Sequence, residues 1–329
     1  MNQEEFEKIW HDDSEFVECF TSGSTGKPKE IRLSKEFMIK SAIRTNRFFE
    51  ISSESRLHTC LDFIYIASKM MTVRADVAGC KLTSETPSSH PLGGVSKNEE
   101  IDLLSVVPAQ MEWILDSADK WSGIKHILIG GSAIPPMLRR RIALSGYDAW
   151  ETYGMTETAS HIALRKVDEE DFPFAALEGI SVEVNGEGCL VITLPDGEKL
   201  VTNDLAEMVD ENRFRILGRA DNCVISGGIK IIPEELERRL GPFIAFDYCL
   251  SSVPDKKWGE KLVIVVESEE GSLSTDLIKE AVGVRLRQYR KILDLGVKAP
   301  KDVVCIREFP RTSNGKIDRK NLKKLLHES

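Results

Sequence analysis

The stretch Thr21–Lys29, with the sequence TSGSTGKPK, constrains this chain more than any other segment. It follows a short apolar piece around Val17 and precedes a second one around Ile31. Glycines let backbone amides turn towards a ligand, hydroxyls add hydrogen-bond donors, and lysines add positive charge. The pattern therefore predicts a loop that binds a polyphosphate, because a plain polar hairpin does not need these residues in this order.

The same stretch does not fit the phosphate loop of P-loop kinases and GTPases. Only two residues separate Gly23 from Gly26, and Pro28 stands where that loop needs a Ser or Thr for Mg²⁺. A different class of nucleotide-binding protein is indicated.

Strand and helix patterns alternate along the chain and indicate an α/β fold. Short apolar runs at 126–131 and 261–267 predict buried strands. Helices are predicted after Ser34, from the prolines of IPPMLRRRIAL, and at IIPEELERRL. The segment 181–208 alternates apolar and polar residues around Asn-Gly and Asp-Gly, which predicts a small antiparallel unit. The length of 329 residues suggests about two domains, and the glycines around Asp221 place the boundary there.

Composition excludes several classes of protein. The net charge of −9 disfavours general binding to nucleic acid or to anionic membranes. Seven cysteines without a C-x-x-C pair argue against a disulfide framework and a zinc site. The acidic N-terminus resembles no signal peptide, and no apolar run reaches the roughly 18 residues of a membrane span. We expect a cytoplasmic protein.

Six further blocks follow the loop in a characteristic order: YGMTE at 153–157, TNDLA at 202–206, GRADN at 218–222, SGGIKIIPEELE at 226–237, VPDKKWGEK at 253–261 and RTSNGKIDRK at 311–320. Together they resemble the adenylate-forming superfamily of acyl-CoA ligases, firefly luciferase and peptide-synthetase adenylation domains. The resemblance covers residues 17–325, and the region that usually precedes the loop is missing. It implies a large α/β domain over 1–220, shortened at its N-terminus, and a small mobile α+β lid over 221–329.

The resemblance also assigns roles to individual residues. Lys316 bridges the substrate carboxylate and the α-phosphate, and Thr156 and Glu157 contact a phosphate oxygen and Mg²⁺, with Glu157 as the metal ligand. Asp221 is the hinge. The cofactor-binding residues that it implies are Thr21, Ser22, Gly23, Ser24, Thr25, Gly26, Lys27, Gly131, Ser132, Tyr153, Asp204, Arg219 and Gly228.

One of these blocks departs from the family pattern, and another is weaker evidence for the resemblance. Asn203 replaces a glycine of the family before Asp204, and we expect the turn to survive because Asn tolerates left-handed dihedrals. The pair Gly227 and Gly228 resembles the stretch that lines the pantetheine tunnel of CoA-using members, although glycine pairs also form bulges.

The segment 61–79 occupies the place of the acyl-pocket helix and most closely resembles short 2-succinylbenzoate–CoA ligases of menaquinone synthesis. That substrate has a second carboxylate, which must meet a cation or strong hydrogen-bond donors in the pocket. Lys69 and Arg74 are candidates that point about 140° apart on a helix, and Arg74 is favoured for its planar fork. An ordinary solvated or structural arginine is the alternative. Ser68 is a candidate for the same wall.

The sequence thus predicts an ATP-dependent acid–CoA ligase that uses MgATP, a small carboxylate and coenzyme A, and that forms an acyl-AMP first. A long-chain fatty acid is less favoured because no extended apolar tunnel is evident. Two alternatives stay open: an aryl- or amino-acid-adenylating enzyme that loads a separate carrier protein, and a non-catalytic nucleotide-binding remnant. The basic stretch from Arg311 to Lys324 favours a solvated helix face, apart from Lys316.

Overall fold

The structure is a computed structural model that describes residues 1–21, 29–117, 121–168, 170–244, 247–268, 275–292, 295–312 and 317–328. The chain forms two compact units. The first contains Met1–Val182, Thr193–Lys199 and Val209–Phe214, and the second contains Glu183–Ile192, Leu200–Met208 and Arg215–Ser329. The chain therefore passes between the units several times. Asp221 lies in the last of these ranges, and its role as a hinge stays a prediction.

The first unit begins with helix α1 (Gln3–Trp10) and an antiparallel hairpin of β1 (Phe16–Thr21) and β2 (Lys29–Ser34). Helix α2 (Lys35–Phe48) follows directly. The Ser34 hydroxyl accepts a hydrogen bond from the Phe37 amide at 3.1 Å, which satisfies one of the free amides at the helix start. The predicted helix start is confirmed.

A mostly parallel sheet forms the centre of the first unit, with the strand order β9-β8-β7-β6-β5-β3-β4. Strands β3 to β7 run parallel, and β8 and β9 are antiparallel to their neighbours. The strands are β3 (Arg56–Thr59), β4 (Lys81–Ser84), β5 (Ile101–Val106), β6 (Ile124–Ile129), β7 (Ala149–Gly154), β8 (His161–Lys166) and β9 (Phe174–Ala176).

Three helices connect the parallel strands: α3 (Ile66–Ala78), α4 (Pro108–Asp116) and α5 (Pro136–Ser145). Both α4 and α5 begin with proline, whose fixed dihedral suits the first helical turn. Ile127 and Ile129 of β6 are fully buried and belong to one apolar cluster with Met111 and Ile142 of the two helices. The strand predicted at 126–131 and the helix predicted after it are therefore confirmed.

Residues 181–219 form four strands that neighbour each other in chain order: β10 (Ser181–Val184), β11 (Cys189–Thr193), β12 (Lys199–Met208) and β13 (Arg213–Arg219). The Asn-Gly and Asp-Gly pairs lie in the short connections before β11 and β12, as predicted. The Asn185 side chain accepts hydrogen bonds from the amides of Glu187 and Cys189, so it shapes the first turn.

The rest of the second unit is an α+β arrangement around a sheet of order β15-β14-β17-β16, with β18 paired in parallel to β17. Its elements are β14 (Val224–Ser226), β15 (Ile229–Ile231), α6 (Pro233–Leu240), β16 (Tyr248–Asp255), β17 (Gly259–Glu267), α7 (Thr275–Ile292), β18 (Asp302–Ile306) and α8 (Arg319–Glu328).

Strand β17 is apolar at every position from Leu262 to Val266 because helices cover both of its faces. Leu262, Ile264 and Val266 pack in a cluster with residues of α6 and α7. Val263 and Val265 pack on the other face against Leu322 and Leu326 of α8. The strand predicted at 261–267 is confirmed. Among the described residues, no helix combines the length and the apolar character that crossing a bilayer requires.

Candidate functional site

The polyphosphate loop joins the two strands of the β1–β2 hairpin. Thr21 and Lys29 pair across this hairpin and close the base of the loop. Val17 and Cys19 of β1 and Leu33 of β2 are buried in an apolar cluster, which anchors both strands. The loop residues Ser22 to Lys27 lie outside the described residues, so their predicted contacts with a nucleotide stay predictions.

Glycines shape the turn that follows β6. A Cβ atom on Gly130 would lie 2.7 Å from the Thr152 hydroxyl of the neighbouring strand, and Gly131 has a φ of +85° that favours glycine. The half-buried Ser132 follows them. Because β6 and β7 are parallel, this turn and the end of β7 lie at the same edge of the sheet, where ligands of open α/β sheets collect.

Tyr153 lies near the end of β7, and its ring packs among other aromatic rings. The ring centroids of Phe214 and Phe174 lie 5.3 Å and 5.7 Å from that of Tyr153. These distances are typical of favourable aromatic contacts and fix the orientation of the tyrosine. The predicted role of Tyr153 in cofactor binding stays a prediction.

Thr156 and Glu157 lie in a short 3-10 helix, Thr156–Thr158, that follows β7 and contacts both β1 and β2. The turn is tightly constrained. The Thr158 hydroxyl accepts from the Met155 amide at 3.0 Å, and a Cβ on Gly154 would lie 2.2 Å from the Ser160 carbonyl oxygen. The fold therefore brings the two residues predicted for phosphate and Mg²⁺ beside the strands that carry the polyphosphate loop.

In the second unit, one arginine joins two of the predicted site residues. Arg219 at the end of β13 donates to both oxygens of Asp221, at 3.1 Å and 3.2 Å, and to the Asp204 carboxylate at 3.3 Å. The hydrogen bonds that Arg219 donates to Asp221 are the main cause that raises the pKa of Arg219. Asp204 and Arg219, which the sequence predicts to bind the cofactor, thus form one charged group with Asp221, the predicted hinge.

The turn expected at Asn203 does not form, and that prediction is wrong. Asn203 and Asp204 lie inside β12, and neither residue has a positive φ. Pairing of β12 with its neighbours β11 and β13 explains this result, because a strand inside a sheet has an extended backbone. Thr202 and Leu205 are buried, and the Thr202 hydroxyl accepts from the Asp204 amide at 3.1 Å.

Gly227 and Gly228 form the two-residue turn of the hairpin between β14 and β15. Their φ values of +58° and +78° are those that such a turn requires at its two central positions. A Cβ on Gly227 would lie 2.6 Å from the ring of Trp258, whereas Gly228 has open space around it. Glycine is thus required at 227 by close packing, and the predicted CoA contact of Gly228 stays a prediction.

The three acyl-pocket candidates on α3 have different surroundings. Ser68 is fully buried, and its hydroxyl lies 2.5 Å and 3.0 Å from the carbonyl oxygens of Asp62 and Tyr65 at the start of the helix. Lys69 donates to the Glu18 carbonyl of β1 at 2.8 Å. Arg74 points elsewhere, as the helical angle predicted, and donates to the Ser160 hydroxyl at 2.6 Å. Neither Ser68 nor Lys69 lies beside the Arg74 side chain.

A buried hydrogen-bonded chain starts at Arg74. Its Nη2 donates to the Ser160 hydroxyl, which lies 3.2 Å from Nδ1 of His161. Nε2 of His161 lies 3.1 Å from the Thr45 hydroxyl, and that hydroxyl donates to the Ser41 carbonyl. Since Thr45 uses its proton on Ser41, His161 donates from Nε2 and accepts from Ser160 at Nδ1. The chain fixes a neutral imidazole.

The buried side chains of Arg74 and Arg44 have no acidic partner among the described residues. Arg74 is 2% exposed, and burial lowers its pKa to about 9. Burial lowers the pKa of His161 well below its usual range, and the positive charges of Arg74 and Arg44 lower it further. Nε of Arg74 has no hydrogen-bond partner. The alternative of a solvated arginine at 74 is excluded by this burial.

Sequence reasoning missed the residues around Arg74. The sequence did not single out four of these residues: Arg44, Thr45, Ser160 and His161. Ser160 and His161 lie close to the YGMTE block, since only two residues separate Ser160 from its end. Their position beside that block was the one available signal. Lys316 lies outside the described residues, and its catalytic role stays a prediction.

Comparison with known proteins identifies the class. The AMP-binding enzyme family matches residues 2–184 of the chain. The chain therefore belongs to the family of AMP-binding enzymes, and the predicted membership of the adenylate-forming superfamily and its α/β fold are confirmed.

Individual relatives give more detail. The chain is 28% identical to an indoleacetate–CoA ligase of Aromatoleum aromaticum over 94% of its own length and 66% of that protein. It is 24% identical to a 2-succinylbenzoate–CoA ligase of Geobacillus over 98% of its length and 71% of that protein. It thus spans about two thirds of these curated relatives.

A solved structure matches over nearly the whole of both chains. The acyl-CoA synthetase (AMP-forming)/AMP-acid ligase II-like protein of Dyadobacter fermentans is 30% identical, with a TM-score of 0.63, and the match covers 98% of this chain and 93% of that one.

Proposed function

We propose that the protein is an AMP-forming acid–CoA ligase that uses ATP, Mg²⁺ and coenzyme A. Membership of the AMP-binding enzyme family supports the nucleotide chemistry. The names of the curated relatives, which ligate different acids to CoA, support the thiol acceptor. The acid differs among these relatives, so the substrate has to be argued from the acyl pocket.

The proposed acid is 2-succinylbenzoate, and the reaction is the one that menaquinone biosynthesis requires. The observation that carries this proposal is the fully buried Arg74, whose charge has no carboxylate partner among the described residues. A dicarboxylate supplies that partner while its other carboxylate is activated. Indoleacetate, the acid named for the relative in Aromatoleum, has one carboxylate and would leave the Arg74 charge unpaired.

In the proposed first step, the substrate carboxylate attacks the α-phosphorus of ATP and releases pyrophosphate. Lys316 and the loop from Thr21 to Lys27 balance the negative charge that gathers on the phosphates. The Thr156 hydroxyl donates to a phosphate oxygen. Tyr153 lies against the adenine, next to the turn of Gly131 and Ser132.

The residues present fit a Mg²⁺ ion that is shared with a nucleotide. Mg²⁺ is usually held by one or two carboxylates together with substrate phosphates and waters. Glu157 provides one carboxylate beside the strands that flank the polyphosphate loop. Among the described residues, no group of three or more acidic, His or Cys side chains is arranged to hold a metal ion. Bound Mg²⁺ would neutralise phosphate charge.

In the proposed second step, the chain turns at Asp221, and the CoA thiol attacks the acyl carbonyl with AMP as the leaving group. Asp204 holds the ribose hydroxyls, and Arg219 lies within reach of the same nucleotide because it pairs with Asp204. The open space around Gly228 suits the close approach of a pantetheine chain.

Mass spectrometry of products from purified protein tests this proposal. We expect succinylbenzoyl-CoA and AMP from MgATP, CoA and 2-succinylbenzoate. Parallel reactions contain indoleacetate, benzoate or a medium-chain fatty acid, or lack CoA. Turnover of indoleacetate in preference to the dicarboxylate would overturn the substrate assignment. A thioester product that forms with a carrier protein but not with CoA would overturn the thiol assignment.

A variant separates the two steps. Lys316→Ala is expected to abolish adenylation, while attack of CoA on supplied succinylbenzoyl-AMP persists. Lys320→Ala, which changes a lysine of the neighbouring helix α8, serves as the control. Equal losses in both half-reactions would count against the role of Lys316.

A further inference from the structure

Arg44 is a second buried arginine that the proposed mechanism does not use. It lies on α2 and is 8% exposed. Its Nε and Nη2 atoms are buried and have no hydrogen-bond partner among the described residues. Burial lowers the pKa of Arg44. A buried arginine with a purely structural role normally donates these N–H groups to carbonyl oxygens of the protein.

Contacts of its two neighbours direct this part of α2 towards Arg74. Thr45 contacts His161 at 3.1 Å, and His161 is linked through Ser160 to Nη2 of Arg74. The Asn46 side-chain amide donates to the Arg74 carbonyl at 2.9 Å. Arg44 and Arg74 both act electrostatically on the His161 ring. Arg44 therefore lies within electrostatic range of the neutral imidazole that is linked to Arg74 through Ser160.

The donors that these arginines leave unused match one ligand chemistry. Nε and Nη2 of Arg44 and Nε of Arg74 are buried N–H groups without acceptors. A carboxylate carries two oxygens with about four lone-pair positions, so it can accept from all of them. It would also supply the negative charge that two buried cations lack. Neutral ligands such as amides would satisfy the hydrogen bonds but leave both charges uncompensated.

We propose that Arg44 is a specificity-determining residue of the acyl pocket, and that it binds the remote carboxylate of the acid jointly with Arg74. This inference rests on the proposed function for the identity of that acid. It narrows the substrate class to acids with a second anionic group. The neutral His161 holds Arg74 in place through Ser160 and adds no third charge.

Ligand-induced thermal stabilisation without ATP or CoA tests this proposal independently of turnover. The probes are 2-succinylbenzoate and 4-oxo-4-phenylbutanoate, which lacks the ring carboxylate. The variants are Arg44→Met and Arg74→Met. The matched control is Arg47→Met, since Arg47 lies on the same helix with its side chain 67% exposed in an ion pair with Glu178. Titration calorimetry supplies the dissociation constants.

We expect the dicarboxylate to stabilise the wild type more than the monocarboxylate does. Arg44→Met should raise the dissociation constant for the dicarboxylate roughly 10- to 100-fold and leave that for the monocarboxylate nearly unchanged. Arg47→Met should bind both probes as the wild type does. Circular dichroism verifies that each variant is folded, and removal of an unpaired buried charge is not expected to prevent folding.

Three other outcomes have defined meanings. If Arg74→Met loses dicarboxylate binding and Arg44→Met does not, the role of Arg44 is overturned and the proposed function stands. If Arg44→Met weakens both probes equally, Arg44 does not read the second carboxylate and the proposal also fails. If both arginines are needed for dicarboxylate binding but the folded wild-type protein forms no acyl-CoA, the anion site stands and the ligase assignment falls.

Discussion

Arg74 in the first unit is fully buried and Arg319 in the second is largely buried, but their surroundings are opposite. Arg319 donates to both oxygens of Glu237, and it also donates to the Leu250 carbonyl at 3.2 Å. Arg74 donates to one hydroxyl and has no acidic partner among the described residues. Burial would lower the pKa of Arg319, but attraction to Glu237 raises it, whereas burial lowers the pKa of Arg74 to about 9.

The difference separates a structural ion pair from a binding group. A guanidinium that meets all its acceptors inside the fold stabilises that fold and has nothing left for a ligand. A guanidinium with unused donors destabilises the fold until an anion arrives. The contrast predicts opposite effects on stability when each arginine is replaced.

The largest effect is expected in the second unit. Arg319→Met leaves the Glu237 carboxylate largely buried without its cation and should lower the free energy of unfolding by about 3–5 kcal/mol. Urea denaturation measures this change. Lys323→Met is the control on the same helix, because Lys323 is 40% exposed in its ion pair with Glu260. Similar midpoints for both variants would remove the contrast.

Arg74→Met should act on function and not on stability. We expect kcat/KM for 2-succinylbenzoate to fall by about 100-fold, because the variant loses charged hydrogen bonds to the second carboxylate. The free energy of unfolding should stay unchanged or rise by about 1–4 kcal/mol, since a buried unpaired charge is removed. Steady-state kinetics and urea denaturation test both statements. A marked loss of stability would mean that Arg74 is a structural arginine.

Alkaline pH should stabilise the wild type relative to Arg74→Met. The pKa of Arg74 is about 9 in the folded protein, which is well below the pKa of an ordinary arginine. Below about pH 9 the group is charged in both states, so its burial cost is constant. Above that pH the folded state releases the proton first, and stability rises by about 1.4 kcal/mol per pH unit.

The difference between wild type and variant should therefore change by about 2 kcal/mol in favour of the wild type from about pH 8 to about pH 10.5. Urea denaturation across that range measures it. Saturating 2-succinylbenzoate should suppress the change, because a bound carboxylate keeps Arg74 protonated. A flat difference without the ligand would show that Arg74 is not desolvated in solution.

The smallest effect is expected at Arg47. Its ion pair with Glu178 is 3.0 Å long, but both side chains are mostly exposed. Arg47→Met should change the free energy of unfolding by less than about 0.5 kcal/mol, because water screens the pair. A larger loss, measured by urea denaturation, would blur the distinction between exposed and buried arginines on α2.

Local patterns in the sequence predicted most elements of the fold. Ser34 caps α2, the Asn-Gly and Asp-Gly pairs lie between strands, and the run at 261–267 is a strand buried on both faces. Each of these depends on residues close together in the chain. The order of the family blocks predicted the family and fold class.

Long-range contacts account for what the sequence did not reveal. Glu237 and Arg319 are 82 residues apart, and no local pattern indicates their pairing. Arg44 could not be distinguished from exposed arginines, because its burial depends on how α2 packs in the fold. At Asn203, comparison with the family favoured a turn, but pairing of β12 with β11 and β13 keeps the chain extended.

The contacts of Arg219 bear on any rotation of the chain at Asp221. Asp204 and Arg219 belong to β12 and β13, whereas Asp221 lies just beyond the last strand residue. A change of backbone dihedrals at Asp221 would break the two hydrogen bonds that Arg219 donates to Asp221. The hydrogen bond from Arg219 to Asp204 would stay intact. Arg219, which stays paired with Asp204, would favour one backbone conformation at Asp221, and the chain could leave that conformation at modest cost.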